Sequence, residues 1–269
     1  MSKAKELDQF YTKDYIAEHC IHSLTRYYPL RAFNHIIEPA AGTGAFYSLL
    51  PEDKRIGLDL DPKIDVEKCD FLLDYIYSNN GSERVLVVTN PPYGTNSTTA
   101  VAFFKKAALF ADVIGYLIPI QWKRYSLQNR LPKEWNLIHS EDLPKDSFIF
   151  NEQSYSVSTC FQIWTKHKYY PDLRIRNKPI TSHPDFDFIK DPSKADFLLV
   201  VCGRRNQYIH ETDSKLSKWT VERIKCNKPG VREVFESIDW DKYGEQSTGT
   251  MWINKEMIVK EYTKAINRL

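Results

Sequence analysis

Residues 85–89 read Val-Leu-Val-Val-Thr, with no polar face, and run straight into Asn90-Pro91-Pro92-Tyr93-Gly94. A short run that is apolar on both sides is what a strand buried in a parallel sheet requires. Two consecutive prolines fix two φ angles and remove two backbone donors. Pro91 also holds Asn90 in an extended conformation. The strand must therefore stop at residue 89, and it stops at a rigid corner. That corner offers acceptors, the Asn90 side-chain oxygen and the Pro91 carbonyl, beside the flat ring of Tyr93.

The surrounding chain agrees with a layered α/β fold. Residues 15–27 carry Ile16, Ala17, Cys20, Ile21 and Leu24 at helical spacing, and residues 99–110 are apolar on one face with Lys105 and Lys106 on the other. Residues 35–37, 56–60, 113–118 and 157–164 read as strands. Strands alternating with helices predict a parallel, Rossmann-like sheet covered on both faces. Residues 166–183, with Pro171, Pro179 and many charges, read as a linker or a crossing segment. Beyond them, residues 195–202 are a strand candidate ending at Gly203, and residues 255–267 a terminal helix. The expected organisation is an α/β catalytic domain over residues 1–175 and a small α+β region over residues 184–269. A unit of about 85 residues is small for a self-sufficient core.

Composition removes several classes. With 42% hydrophobic residues in 269, the chain can build a core, which excludes wholesale disorder. Its apolar runs fall far short of the ~20 residues of a membrane helix. Residues 1–7 are polar and charged, with no apolar signal region behind them. The five cysteines are scattered and form no Cys-x-x-Cys pair, so no metal site is expected. A reducing, cytoplasmic location fits, and neither secretion nor a membrane does.

Three further segments carry chemistry. Ile36-Ile37-Glu38-Pro39-Ala40-Ala41-Gly42-Thr43-Gly44-Ala45-Phe46 is a strand entering a glycine-containing loop. Gly42 and Gly44 permit a tight turn and a close ligand, while the small Ala40 and Ala41 leave room for it. A dinucleotide loop would need a third glycine, and Tyr47 stands there. Gly57-Leu58-Asp59-Leu60-Asp61-Pro62 follows about twenty residues on, where a strand-end acid can accept the hydroxyls of a ribose. Asp59 and Asp61 compete for that role, and Asp59 is favoured at the strand end. In Cys69-Asp70-Phe71 the carboxylate can accept from an adenine amino group and the ring can cover the base.

With Gln9-Phe10-Tyr11-Thr12, these segments resemble the N6-adenine methyltransferases of the amino-methyltransferase class. The order, cofactor loop first and Asn-Pro-Pro-Tyr second, is similar to the γ arrangement of the DNA enzymes, over roughly residues 8–164. The resemblance implies S-adenosylmethionine as cofactor, with no metal and no covalent intermediate. It implies that Tyr11 and Thr12 contact the methionine part, and that Glu38, Pro39, Ala40, Gly42 and Gly44 line its central region. Asp59 would hold the ribose, and Asp70 with Phe71 the adenine. Asn90, at the edge of the cofactor, would hold the target amine with Pro91, while Pro92 fixes the corner and Tyr93 stacks on the target base. A later aromatic would cover the opposite face; Phe148 and Phe150 precede Val157, and Phe150 is favoured. Two departures stand out. Lys13 occupies a position where the family often has proline, and the C-terminal region is smaller than the family's recognition domains. Specificity would then be short, relaxed or supplied by a protein partner.

A net charge of +2 does not itself argue for nucleic acid, but its distribution does. Residues 121–133 hold Lys123, Arg124, Arg130 and Lys133 without an acid. Residues 204–232 hold Arg204, Arg205, Lys215, Lys218, Arg223, Lys225, Lys228 and Arg232 against Glu211, Asp213 and Glu222. Trp122, Tyr125, Tyr208 and Trp219 interleave them, as phosphate contacts combined with base stacking require. Lys123, Arg124, Arg204, Arg205, Lys215 and Lys218 are the expected contacts. The resulting expectation is adenine-N6 methylation of DNA, in a restriction-modification setting, by a nucleoid-associated or virus-encoded enzyme. RNA methylation by the same chemistry is the alternative. Methylation of a protein glutamine ranks below both, because the basic aromatic tail has no use there.

Overall fold

The chain folds as two units, residues 1–177 and 178–269, in a computed structural model. It describes residues 11–77, 81–150, 153–155, 157–203, 207–216, 220–242 and 253–268, without the side chains of Phe150 and residues 153–155. Gln9, Phe10, Arg204, Arg205, Lys218, Trp219 and the side chain of Phe150 therefore lie outside the described residues.

The strands of the first unit are β1 (Tyr11–Thr12), β2 (His35–Glu38), β3 (Arg55–Asp59), β4 (Glu67–Lys68), β5 (Val85–Thr89), β6 (Val113–Pro119), β7 (Asn136–Asp142), β8 (Phe148–Phe150), β9 (Gln153–Tyr155) and β10 (Thr159–Thr165). Seven of them form one sheet in the order β4-β3-β2-β5-β6-β10-β7. From β4 to β6 every pairing is parallel. These five keep the doubly wound, Rossmann-like order, with the switch point between β2 and β5. The sheet departs from the all-parallel expectation at β10, which runs antiparallel to both β6 and β7. The chain returns from β7 through the short β8–β9 hairpin, and an antiparallel return needs no crossover helix.

Period-two alternation assigns the two faces. Ile37, Val85, Val87, Ile114 and Tyr116 pack with Ala100, Phe103 and Phe104 of helix α2 (Thr98–Ala107). Ile36, Leu86, Val88, Val113 and Leu117 pack on the other face with Ile16, Ala17, Cys20 and Leu24 of helix α1 (Asp14–Thr25). Each fully buried Val, Leu, Ile or Phe among them contributes about 1.5–3 kcal/mol. Gly115 of β6 admits α1 closely, since a Cβ there would lie 2.7 Å from Leu24. Helix α3 (Tyr125–Gln128) follows β6.

The proline-rich stretch after β10 is bound to the sheet rather than free. The Leu173 N–H donates to the Leu137 carbonyl (2.7 Å), and the Leu137 N–H to Asp172 (3.0 Å). Arg174 is buried and donates to four carbonyls: Pro132 (2.7 Å), Trp135 (3.0 Å), Gln128 (2.7 Å) and Leu131 (3.0 Å). Charge and proline composition predicted a linker or a crossing segment; here the segment lies along the sheet, and Arg174 spends its N–H groups on backbone acceptors.

In the second unit, β11 (Phe186–Ile189), β12 (Phe197–Val200), β13 (Ile209–His210) and β14 (Val221–Cys226) form an antiparallel sheet in the order β11-β14-β12-β13. Helices α4 (Val231–Glu236) and α5 (Lys255–Ile266) accompany it. Phe186, Phe197, Phe235, Trp240 and Tyr262 give this unit a core of its own. Among the described residues, no helix is long and apolar enough to cross a membrane.

Candidate active site

The carboxyl ends of β2, β3 and β5 open into a cavity of about 520 Å³. Open α/β sheets bind ligands there, where the strand order reverses. The cavity gathers Tyr11, Thr12, Glu38, Pro39, Ala40, Gly42, Asp59, Asp70, Phe71, Asn90, Pro91, Pro92 and Tyr93. Gly44, expected in the same lining, is not part of it; it turns the loop, with φ 91° and its N–H bonded to the Ala41 carbonyl (2.8 Å).

Asp59 holds this wall together. One carboxylate oxygen accepts the Gly42 N–H (2.7 Å), and the other accepts the Asp61 N–H (2.8 Å). The acid expected for a ribose thus also fixes the glycine loop, and each oxygen keeps a further lone pair. Asp61 is paired with Lys63 (2.7 Å). Gly42 adopts φ 53°, and a Cβ on it would stand 3.2 Å from the Tyr11 ring. Burial raises the Tyr11 hydroxyl pKa; Lys63 opposes the shift, and Asp59 and Asp61 add to it. Tyr11 is placed here by β1, which pairs with β8 across a long stretch of sequence (Tyr11 opposite Ile149, Thr12 opposite Phe148). Phe148 itself is fully buried in the core.

Glu38 ends β2 with 1% of its surface exposed. Its Oε2 has no hydrogen-bond partner among the described residues. Burial pushes its carboxyl well above the ordinary range, against the neighbouring Thr89 hydroxyl and with the charge of Asp59. Asp70 accepts the N–H groups of Leu72 (2.8 Å) and Leu73 (3.2 Å) on one oxygen, so the turn fixes it. Phe71 stacks at a tilt on Phe103 (5.1 Å), with the Lys106 ammonium 5.6 Å from its ring.

Asn90 and the two prolines follow β5 directly, as the fully apolar run requires. The Tyr93 carbonyl accepts the Ala100 N–H (3.3 Å) and the Gly94 carbonyl the Ser97 N–H (3.1 Å), which ties the corner to the start of α2. Gly94 has φ 67°, and a Cβ there would meet the Thr99 hydroxyl at 2.2 Å, so only glycine fits. Asn96 and Ser97 are also left-handed, at φ 52° and 58°. Such conformations cost of order 1–3 kcal/mol each and concentrate at functional sites.

Sequence reasoning missed Leu60, Thr99 and Phe103, which also line the cavity. Leu60 had a signal: it is an apolar residue between two strand-end acids, and 52% of it is exposed. Phe103 had none, because its spacing is that of a core helix face.

A second cavity, of about 680 Å³, shares Tyr93 and Gly94 with the first. Asn96, Gln121, Arg124, Ser126 and Arg130 line it, and no carboxylate does. Of the expected nucleic-acid contacts, Lys123 is ion-paired with Asp142, whereas Arg124 is exposed. In the second unit Lys215 is exposed, while Lys228 pairs with Asp185 (2.7 Å) and Arg232 with Glu211 (2.5 Å) and Glu236 (2.9 Å). Part of that unit's basic excess is therefore internally neutralised. Among the described residues no group of three or more His, Cys, Asp or Glu could hold a metal.

The chain matches no protein-family model and no curated protein sequence. It is similar to solved structures at low identity. A Pyrococcus horikoshii protein provisionally described as an RNA methyltransferase has a TM-score of 0.45 and 14% identity, over 59% of this chain and 87% of that one. The methyltransferase subunit of a type I restriction-modification system from Streptococcus thermophilus has 0.44 and 14%, over 98% and 61%. The M protein of the type I restriction enzyme EcoKI has 0.39 and 19%, over 61% and 46%. The chain thus spans less than two thirds of either restriction-modification protein.

Proposed function

We propose that this protein is a methyltransferase that uses S-adenosylmethionine to methylate N6 of adenine in DNA. The observation that carries the reading is the rigid Asn90-Pro91-Pro92-Tyr93 corner opening into the same cavity as Glu38, Gly42, Asp59 and Asp70. The cavity's size lies within the range of small-molecule cofactor sites.

The residues fit that cofactor. Glu38 brings an open, buried carboxylate oxygen to a site for a cationic ligand. Gly42 leaves a cradle under Tyr11 that a Cβ would fill. Asp59, with Asp61 as its rival, would accept ribose hydroxyls, Asp70 would accept from an exocyclic amine, and Leu60, Phe71 and Phe103 would enclose a ring; all six line the cavity. When bound, S-adenosylmethionine supplies an electrophilic methyl group.

The chain's own residues do the rest. An aryl amine is a poor nucleophile because its lone pair is delocalised into the ring. The Asn90 oxygen and the Pro91 carbonyl would accept hydrogen bonds from its two N–H groups, localise the lone pair and aim it. The rigid corner places both acceptors before the reaction begins. Tyr93 offers a stacking face to a base that must leave the duplex stack to reach the cavity. Attack would form the N–C bond as the S–C bond breaks to leave S-adenosylhomocysteine, and the resulting ammonium, strongly acidic, would release one proton to water, so no charged general base is needed.

Transfer of labelled methyl groups to matched DNA, RNA and protein pools tests the reading. Label in DNA, abolished by excess S-adenosylhomocysteine, supports it. Label in RNA alone keeps the chemistry and changes the substrate, and label in protein alone overturns it.

A further inference from the structure

Resting on the reading of the first cavity as a methyl-transfer site, we infer that the second cavity binds a backbone phosphate next to the target nucleotide, held by Arg124 and Arg130. Four acids line the first cavity, Glu38, Asp59, Asp61 and Asp70, and none lines the second. Neither Arg124 nor Arg130 forms an ion pair among the described residues. Arg130 donates one guanidinium N–H to the carbonyl of Asn96 (2.8 Å), which also lines the cavity, and this neutral acceptor leaves its charge uncompensated. Lys123, beside them in sequence, is ion-paired with Asp142 and does not line this cavity.

The wall is built to hold still. Gln128 donates to the Trp122 carbonyl (3.1 Å) and accepts the Ile175 N–H (2.7 Å). Arg174 fastens residues 128, 131, 132 and 135 from below through their carbonyls. A pair of guanidinium groups on a fixed backbone suits a phosphate, whose oxygens accept their fork of N–H donors, and a preorganised wall lowers the cost of binding. The choice of a phosphodiester over another anion comes from Tyr93 and Gly94, which line both cavities. A base stacked on Tyr93 has its own sugar-phosphate backbone at that shared border. The left-handed pair Asn96 and Ser97 shapes the same border.

The test uses the full chain carrying R124Q and R130Q together, with K105Q on the exposed face of α2 as a charge control. Binding of a fluorescent oligodeoxynucleotide is measured against salt, in single-stranded and duplex form, alongside calorimetry with S-adenosylhomocysteine. Each lost phosphate contact removes ~0.7 from the slope of log K against log salt for a single strand and ~0.9 for a duplex. The double variant should therefore lose close to two such steps, while K105Q keeps the parental slope. Its KM for DNA should rise about tenfold or more at nearly constant kcat, the mark of lost uniform binding. Affinity for S-adenosylhomocysteine should stay parental, which shows that the variant is folded. A parental slope and DNA affinity in the double variant overturn the inference. Absence of methyl transfer to any nucleic acid by the wild type overturns the underlying reading instead, and the slope comparison still reads the second cavity on its own.

Discussion

The two cavities that share Tyr93 are opposite in charge. Glu38, Asp59, Asp61 and Asp70 face the first, and Arg124 and Arg130 face the second. A cationic donor and a polyanionic acceptor need such a division. Carboxylates favour the first and would repel the second, and guanidinium groups do the reverse. The two cavities are also built differently. The first is set by strand ends, with Asp59 tying the Gly42 loop to β3. The second is set by irregular chain after β6, held by Arg174 through four carbonyls. The comparison predicts that mutations in one cavity leave binding in the other intact, and that only the Asn90-Pro91-Pro92-Tyr93 corner, which ends at the shared Tyr93, affects transfer without affecting either.

Asn90→Ala is the sharpest break at that corner, and Asn90 lines the first cavity only. Removing one preorganised polar contact of this kind costs ~10²–10³ in rate. Single-turnover transfer should fall by that factor, while affinities for S-adenosylhomocysteine and DNA stay near parental. A parental rate would remove Asn90 from the chemistry.

Arg174→Ala attacks the second cavity from behind. It leaves four carbonyls without their buried donor, so thermal or urea unfolding should show a loss of about 2–4 kcal/mol. DNA affinity should drop in the still-folded fraction, with S-adenosylhomocysteine affinity unchanged. Equal loss of both affinities would show that the cavities are not separately supported.

Asp59→Ala reverses the pattern. The dissociation constant for S-adenosylhomocysteine should rise tenfold or more, about 1.4 kcal/mol, through lost charge-assisted bonds and a loosened Gly42 loop. The salt dependence of DNA binding should not move. Unchanged cofactor affinity would pass the ribose role to Asp61 or remove it.

Glu38→Gln has the smallest effect and a pH signature. The folded pKa is raised by burial, so the folded state holds its proton where the unfolded chain has already released it. Stability present below the unfolded value, about 4.3, is lost as pH rises through the folded value. The Gln variant carries no such loss. It should be more stable than the parent at pH 8 and no more stable at pH 4. It should also bind S-adenosylmethionine more weakly at pH 8. Melting curves across this range check the sign, and a variant less stable at pH 8 would contradict it.

Much of the first unit's fold was legible, because buried parallel strands write themselves as apolar runs. Residues 85–89 became β5 without adjustment, and residues 113–118 became β6 with Pro119 added. Helix α1 emerged from the spacing of Ile16, Cys20, Ile21 and Leu24. Strand β7 was not legible, since Asn136–Asp142 has only three buried residues before it turns polar. The direction of β10 was hidden as well, because burial on both sides looks the same in either orientation. Strands β1 and β8 are too short to carry a pattern, and only their pairing makes them strands. In the second unit, Val221–Cys226 mixes charges with valine and isoleucine, and its partners lie far away in sequence. At the candidate site, the sequence pointed to residues by chemical type. It did not reveal that Asp59 holds the loop, that Phe103 faces the cavity, or that Arg174 underlies the basic wall. Those facts depend on which backbone groups come together in space.

The most direct test of the account is the identity of the methylated nucleoside. DNA incubated with the protein and methyl-labelled S-adenosylmethionine is digested to nucleosides, which are separated and weighed. The account predicts N6-methyl-2′-deoxyadenosine as the labelled product. Label on a cytosine, or none in DNA while a protein glutamine is methylated, would contradict it.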